Sequence, residues 1–203
     1  MQALRLLRRV AELGSFARNA YMTIACLGWG SLIWDPQALP IRREWFKDGP
    51  FAPVEFTRQS SDGRMTLVID TSAAKVRLLW AEMLSPDLPS AKEALRDRER
   101  ITGADWSSRI GAWQTGEAAP ATITDLPRWA EALSLDAVIW TALRPKFSGQ
   151  DVSPSADKVV TYLQGLTGTR RDNAKQYIEC APRQIDTEYR RRIEAALGWS
   201  PRE

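Results

Sequence analysis

Histidine is missing from all 203 residues. Its absence removes the usual general base behind serine and cysteine nucleophiles and every histidine-containing metal site, so Ser-His and Cys-His catalysis are excluded. Cysteine is scarce: Cys26 and Cys180 lie far apart and could form one bridge at most, which excludes a disulfide framework and fits reduced thiols in a cytosol-like compartment. No apolar run approaches the roughly 20 residues of a membrane-spanning helix, because charged residues interrupt each one. A soluble, cytoplasmic protein without membrane contact is expected. Charge of one sign is nearly lacking as well. The net charge is +3, and residues 1–19 hold four arginines (Arg5, Arg8, Arg9, Arg18) against Glu12 alone, which accounts for the whole excess. The remaining chain is balanced and offers no global field for a polyanion, so nucleic acid is not an expected partner.

What is present suits one globular domain: 44% of residues are hydrophobic, and no repeat, low-complexity tract or long linker divides the chain. Residues 1–21 read as a basic amphipathic extension, with Leu6, Val10 and Leu13 at helical spacing, a pattern shared with organelle-targeting peptides. The plainer alternatives are a loosely attached helix, or an upstream extension of a chain whose natural start is Met22. The domain is then 22–203. Its oligomeric state cannot be read from the pattern.

Along that domain, Thr23 to Leu27 reads as a short apolar strand. PVEFTRQSSDGRMTLVID reads as a hairpin about the two-residue turn Asp62-Gly63, with Met65, Leu67 and Ile69 alternating with Thr66, Val68 and Asp70. Val76 to Met83 predicts a third strand. Asp87 and Pro89 open a helix over 88–100. A strand near 109–114, a short helix over 126–133 and a buried strand over 137–143 follow. Three helical stripes complete the chain: Val159, Tyr162, Leu163, Leu166; Ala174, Tyr177, Ile178, Ala181; and Tyr189, Ile193, Ala196, Leu197. Trp80 and Trp140, inside apolar strands, read as core. Arg190-Arg191-Arg192, flanked by Glu188 and Glu194, reads as a solvated helix face. Strands first and helices later predict an α+β unit.

Two features carry chemistry. The run IACLGWGSLIWDP places Gly28 and Gly30 directly after a strand. Such a loop lets a ligand approach the main chain, where N–H groups can hold a carboxylate or an oxyanion; a tight turn without a ligand is the commoner use of the same residues. Trp29 and Trp34 are the expected pocket walls. In SAKEALRDRER, Ala91, Leu95 and Glu99 fall on one helical stripe, so Glu99 extends a core-facing edge. A desolvated carboxylate there has a raised pKa suited to acid–base work. The alternative is that Glu99 pairs with Arg96 or Arg98 at the helix rim.

Gly28-Trp29-Gly30-Ser31-Leu32-Ile33-Trp34 resembles the Gly-Tyr-Gly-Ser-Leu-Ile-Trp loop of the γ-glutamylcyclotransferase-like superfamily in its ChaC-like branch. Phe56, Ser60, Asp62 and Arg64 match a Phe-x-x-x-Ser-x-Asp-x-Arg spacing of the same family, and LRDRE over 95–99 is similar to the segment carrying its catalytic glutamate. The resemblance spans residues 24–99. It implies a small mixed, nearly closed β-sheet or barrel surrounded by helices, with a helical C-terminal quarter. It also implies cyclisation of a γ-glutamyl group to 5-oxoproline with release of the amine partner, without metal or cofactor. Under it Glu99 is the general acid/base, Gly28, Trp29, Gly30, Ser31, Leu32 and Ile33 bind the substrate, and Ser60, Asp62 and Arg64 are pocket candidates. The chain departs from the pattern at Trp29, where the family has tyrosine, at Gly63, where it has histidine, and at Arg100-Ile101, where it has a glycine-rich step. The identity of the γ-glutamyl substrate is left open. Two rival readings stand beside this one: a non-catalytic binding module that holds a carboxylate or γ-glutamyl group, and an interaction protein that uses the basic N-terminal segment.

Overall fold

A computed structural model of the chain describes residues 22–202; the expected extension over 1–21 lies outside them. Strands β1 (Ile24–Gly28), β2 (Phe51–Gln59), β3 (Met65–Ile69), β4 (Lys75–Arg77) and β5 (Leu79–Glu82) precede helix α1 (Leu88–Arg98). A 3-10 turn (Trp106–Arg109), β6 (Ile110–Gln114), α2 (Leu126–Ala132) and β7 (Ala137–Thr141) follow, and α3 (Ala156–Gln164), α4 (Gly168–Cys180) and α5 (Glu188–Leu197) end the chain. The fold is α+β, as the order of patterns predicts.

The strands form two sheets, one of order β5-β1-β7-β6 and one of order β3-β2-β4. In the first, β1 runs parallel to β7 and antiparallel to β5, so the sheet is mixed. The ladders do not join into a closed barrel among the described residues. Alternation along β1 and β7 decides what each face buries. Ile24, Cys26, Ala137 and Ile139 face the cluster that holds Ala91 and Leu95 of α1, while Ala25, Leu27, Val138 and Trp140 face the larger cluster shared with β2, β3 and the C-terminal helices. Trp140 lies across Gly111 of β6, where an added Cβ would collide with its indole. Trp80 and Trp140 are core residues, as expected.

Three sequence expectations need correction. The strand expected over 76–83 is two strands in different sheets: β4 pairs with β2 and β5 with β1. Leu78 sits at the switch, fully buried, its N–H donating to Pro50 and its carbonyl accepting from Gly49. The apolar residues from Val76 to Met83 conceal the switch, although the first strand is largely exposed and only the second is buried. The hairpin loop has three residues rather than two: Ser60 and Arg64 close it by hydrogen bonds, and Gly63 takes the left-handed conformation at φ 87°. That is the geometry of a type I turn followed by a left-handed glycine. Finally, Arg190 is not solvated. It is 1% exposed, and its guanidinium donates to the carbonyls of Ile185, Ile178, Ala181 and Pro182 while lying over Phe56. Arg191 and Arg192 do face solvent, paired with Asp186 and Asp157.

Helix α1 is fixed at both ends. Asp87 caps its start by accepting from the Ser90 N–H at 2.8 Å, with proline in the first turn. At the other end Arg100 N–H bonds to Asp97 and Ile101 N–H to Arg96, the paired bonds of a Schellman stop. The left-handed residue there is Arg100, φ 53°, where glycine is the rule. Glu99 is therefore held at the C-terminal end of the helix with defined backbone geometry.

Candidate functional site

The chain leaves β1 at Gly28 and turns over Trp29–Trp34. Both glycines are buried, and neither takes a positive φ. Space, not handedness, requires them: a Cβ on Gly28 would come within 2.6 Å of the Trp45 ring and 2.7 Å of Ile33, and one on Gly30 within 2.6 Å of the Tyr177 hydroxyl. The turn closes through Ile33 N–H to Gly30 O at 3.0 Å and Asp35 N–H to Ser31 O at 2.9 Å. Among the described residues, none of the N–H groups of Gly30, Ser31 and Leu32 donates to a backbone carbonyl. Three successive donors thus remain for an anion or a polarised carbonyl.

A cleft of about 350 Å³ opens on this turn and is walled by residues from five parts of the chain, one of them the end of β7 with Thr141 and, just beyond it, Leu143. Trp29, Gly30, Ser31, Leu32 and Trp34 come from the loop, Ser60 and Arg64 from the hairpin, Arg98, Glu99 and Arg100 from the end of α1, and Tyr177 from α4. The Glu99 side chain is 17% exposed and that of Arg98 only 6%; they pair at 2.7 Å. The Arg98 guanidinium also donates to Ser31 Oγ at 3.1 Å and to the Asp35 carbonyl at 2.6 Å. Arg98 is thus the clamp that joins the glutamate to the glycine turn. Both alternatives for Glu99 therefore hold in part, since it has an arginine partner, yet the pair lies inside the cleft. Arg96 turns instead to Asp97.

Burial pushes the Glu99 carboxyl above the usual glutamate range; the charge and hydrogen bond of Arg98 pull the other way without cancelling it. Its place at the C-terminal end of a helix, where the backbone dipole is negative, disfavours the ionised form further. The Cys26 thiol, fully buried beneath, is pushed up to about 12 by burial first and then by the Glu99 charge, which leaves it inert. Both cysteines are free thiols.

On the opposite wall, Ser60 Oγ donates to Asp62 Oδ1 at 2.5 Å and Arg64 Nε approaches Asp62 Oδ2 at 2.8 Å. Burial works against the Asp62 charge, but the Ser60 and Arg64 contacts outweigh it and hold the carboxyl below its ordinary range. Asp62 therefore braces Arg64, whose guanidinium lies 5.4 Å from the centre of the Tyr177 ring. The Tyr177 hydroxyl accepts from the Leu67 N–H at 3.3 Å and stands over Gly30. Burial foremost pushes it up to about 12, so at neutral pH it keeps its proton and can donate it to a ligand. Two more buried polar atoms of the cleft residues, Arg98 Nε and Thr141 Oγ1, have no hydrogen-bond partner among the described residues.

The site residues expected from sequence do not all face the cleft. Trp29, Gly30, Ser31, Leu32, Ser60, Arg64 and Glu99 line it, as does the expected wall Trp34. Gly28 and Ile33 pack against each other and Trp45, outside the lining, and Asp62 acts through Arg64. The Trp29 indole N–H is engaged by the Leu67 carbonyl at 3.1 Å, so it offers nothing to a ligand. Tyr177 and the clamp role of Arg98 were not legible beforehand. Tyr177 lies on a helical stripe with Ala174 and Ile178, which reads as core, and nothing in the pattern sets it apart. Four arginines (58, 64, 98 and 100) against Glu99 and Asp35 make the cleft net cationic, suited to a ligand bearing carboxylates.

No protein-family model matches the chain, and no curated protein matches it in sequence. Among solved structures, it is similar to a γ-glutamyl cyclotransferase specific to glutathione from yeast, at 12% sequence identity, over 87% of this chain and 98% of that one, with a TM-score of 0.45.

Proposed function

We propose that the cleft cyclises a γ-glutamyl group to 5-oxoproline and releases the amine to which it was joined. The observation that carries this reading is the clamp: Arg98 ties a half-buried Glu99 to Ser31 of the glycine turn inside one cavity. The motif resemblance over residues 24–99 supports it independently of that geometry.

The chemistry requires little. The α-ammonium of the γ-glutamyl group gives a proton to ionised Glu99, and the freed amine attacks its own γ-carbonyl to form the five-membered ring. The carbonyl oxygen gains negative charge, which the free N–H groups of the turn and the Tyr177 hydroxyl can stabilise. Glu99 returns that proton to the departing nitrogen as the old C–N bond breaks, and the second proton of the ring nitrogen passes through the same carboxylate to the released amine, which leaves as its ammonium. Atoms balance without water or any co-reactant, and the arginines hold the substrate carboxylates. A cytoplasmic, small-molecule role without nucleic-acid or membrane partners belongs to the same proposal. Among the described residues no helix is long and apolar enough to cross a membrane.

The test is release of 5-oxoproline from a panel of γ-glutamyl amino acids, γ-glutamyl amines and glutathione with a chelator present. Product from at least one member is expected; none from any would favour a module that binds without turnover. The same assay across pH checks the state of Glu99. The base must be ionised, and its carboxyl lies above the usual range, so activity should fall as pH drops through a value higher than an ordinary glutamate's. Arg98→Met removes the charge that opposes this shift and should move the acid limb to still higher pH.

A further inference from the structure

Beside the main cleft lies a second basin of about 390 Å³, bounded by Arg58, Arg109, Arg144, Lys146, Asp105 and Asp151 with Ala142 and Leu143. The two cavities share Arg58 and Leu143 as common wall. Its backbone is tied together by hydrogen bonds: Lys146 forms a parallel bridge to Arg58 of β2, with N–H bonds from Lys146 to Thr57 and from Gln59 to Lys146, and Ala142 N–H reaches Arg109. Arg58 is fixed across it by a 2.7 Å hydrogen bond to the Arg144 carbonyl.

The charges do not balance. Asp105 is taken by Arg109 through two contacts of 3.1 and 2.9 Å, and Asp151 is the carboxylate that faces Arg58. Arg144 and Lys146 have no ion-pair partner among the described residues. Two unmatched cations therefore stand at the mouth of a cavity adjoining the one that takes the γ-glutamyl group. Whatever is joined to that group must leave the main cleft on some side, and this side is the one prepared for negative charge.

Resting on the proposed cyclisation, we infer that the second basin is the subsite for the departing amine, and that the substrates are γ-glutamyl compounds whose leaving portion carries two or more anionic groups. Leaving portions with a single carboxylate or none would use the basin poorly. Glutamate as leaving amine, or the remainder of an oligo-γ-glutamyl chain, has the required chemistry.

An isosteric series tests this: γ-glutamyl-glutamate, γ-glutamyl-glutamine and γ-glutamyl-glutamine amide, whose leaving portions carry two, one and no carboxylates. At low ionic strength kcat/KM should rise about fivefold with each carboxylate, and the gradient should shrink with added salt. The double variant Arg144→Gln/Lys146→Gln should flatten the gradient, so that the ratio of the first substrate to the last falls about tenfold or more. Equal rates across the series, or a gradient that survives in the double variant, would overturn the inference. No turnover of the series while other γ-glutamyl compounds are cyclised would also overturn the inference. If no γ-glutamyl compound is turned over, the cyclisation reading fails, and calorimetric binding of tri-γ-glutamate against its fully amidated form still decides the basin. Tighter binding of the acid that depends on Arg144 and Lys146 supports it, and equal affinity refutes it.

Discussion

Glu99→Gln is expected to lower turnover by about 10²–10⁴-fold while leaving the melting temperature within a degree or two and substrate affinity nearly intact. Glutamine keeps the length and the acceptor oxygen that meets Arg98 at 2.7 Å, so the clamp to Ser31 and Asp35 survives. It cannot take the ammonium proton, and the amine stays unreactive. A half-buried, raised carboxylate is also unfavourable to the folded state when ionised. Its contribution to stability is present at low pH and is lost as pH rises through its folded pKa, so the amide should be neutral or slightly stabilising at neutral pH. A purely structural pair would behave in the opposite way, with stability falling and turnover persisting. Near-normal kcat in this variant would remove Glu99 from the mechanism.

The second large effect concerns Gly30 and Tyr177. Gly30→Ala places a methyl group 2.6 Å from the Tyr177 hydroxyl, with the next contact, the ring carbon bearing that hydroxyl, at 3.7 Å. Either the turn or helix α4 must shift, a misfit worth about 1–3 kcal/mol. Tyr177→Phe removes the obstructing oxygen and leaves only ordinary contact, so alanine should be tolerated in that background. The cycle should show a coupling of about 1–2 kcal/mol between the two positions. Turnover separates structure from chemistry. Tyr177→Phe alone should lose about 10–10²-fold in kcat if the hydroxyl donates to the developing oxyanion, and the double variant, although refolded, should not recover it. Additive destabilisation would show that Gly30 and Tyr177 do not meet as described. Full activity in Tyr177→Phe would confine the tyrosine to packing.

The contrast between Glu99 and Tyr177 explains how far the sequence could be read. Glu99 was legible because the stripe of Ala91, Leu95 and Glu99 ends in a charge where an apolar residue would be expected, and the fold does bury the first two completely. Tyr177 obeys its stripe, and only the long-range approach of α4 to the glycine turn gives its hydroxyl a role. Arg98 was ambiguous for a similar reason. Its neighbours could not say whether it reaches outward or across to a loop 67 positions away. The glycines were found for their position after β1, but their cause differs from the expectation. They accommodate Trp45 and Tyr177, which are distant from them in sequence, as well as Ile33 of the same turn. Strands and helices were legible wherever period and punctuation agreed, as with Asp87 at the start of α1. They failed at Leu78, where the strand changes sheets with no turn residue to mark the break, and at Arg190, whose partners are backbone carbonyls that no side-chain pattern displays.

Turnover in water enriched in oxygen-18 tests the central claim most directly, because intramolecular attack and hydrolysis differ in where the new bond to carbon comes from. A γ-glutamyl compound accepted in the panel should yield 5-oxoproline without label, together with one equivalent of free amine. Glutamate carrying one oxygen-18 atom would mean that water, not the substrate's own amine, attacks in this cleft, and would contradict the account.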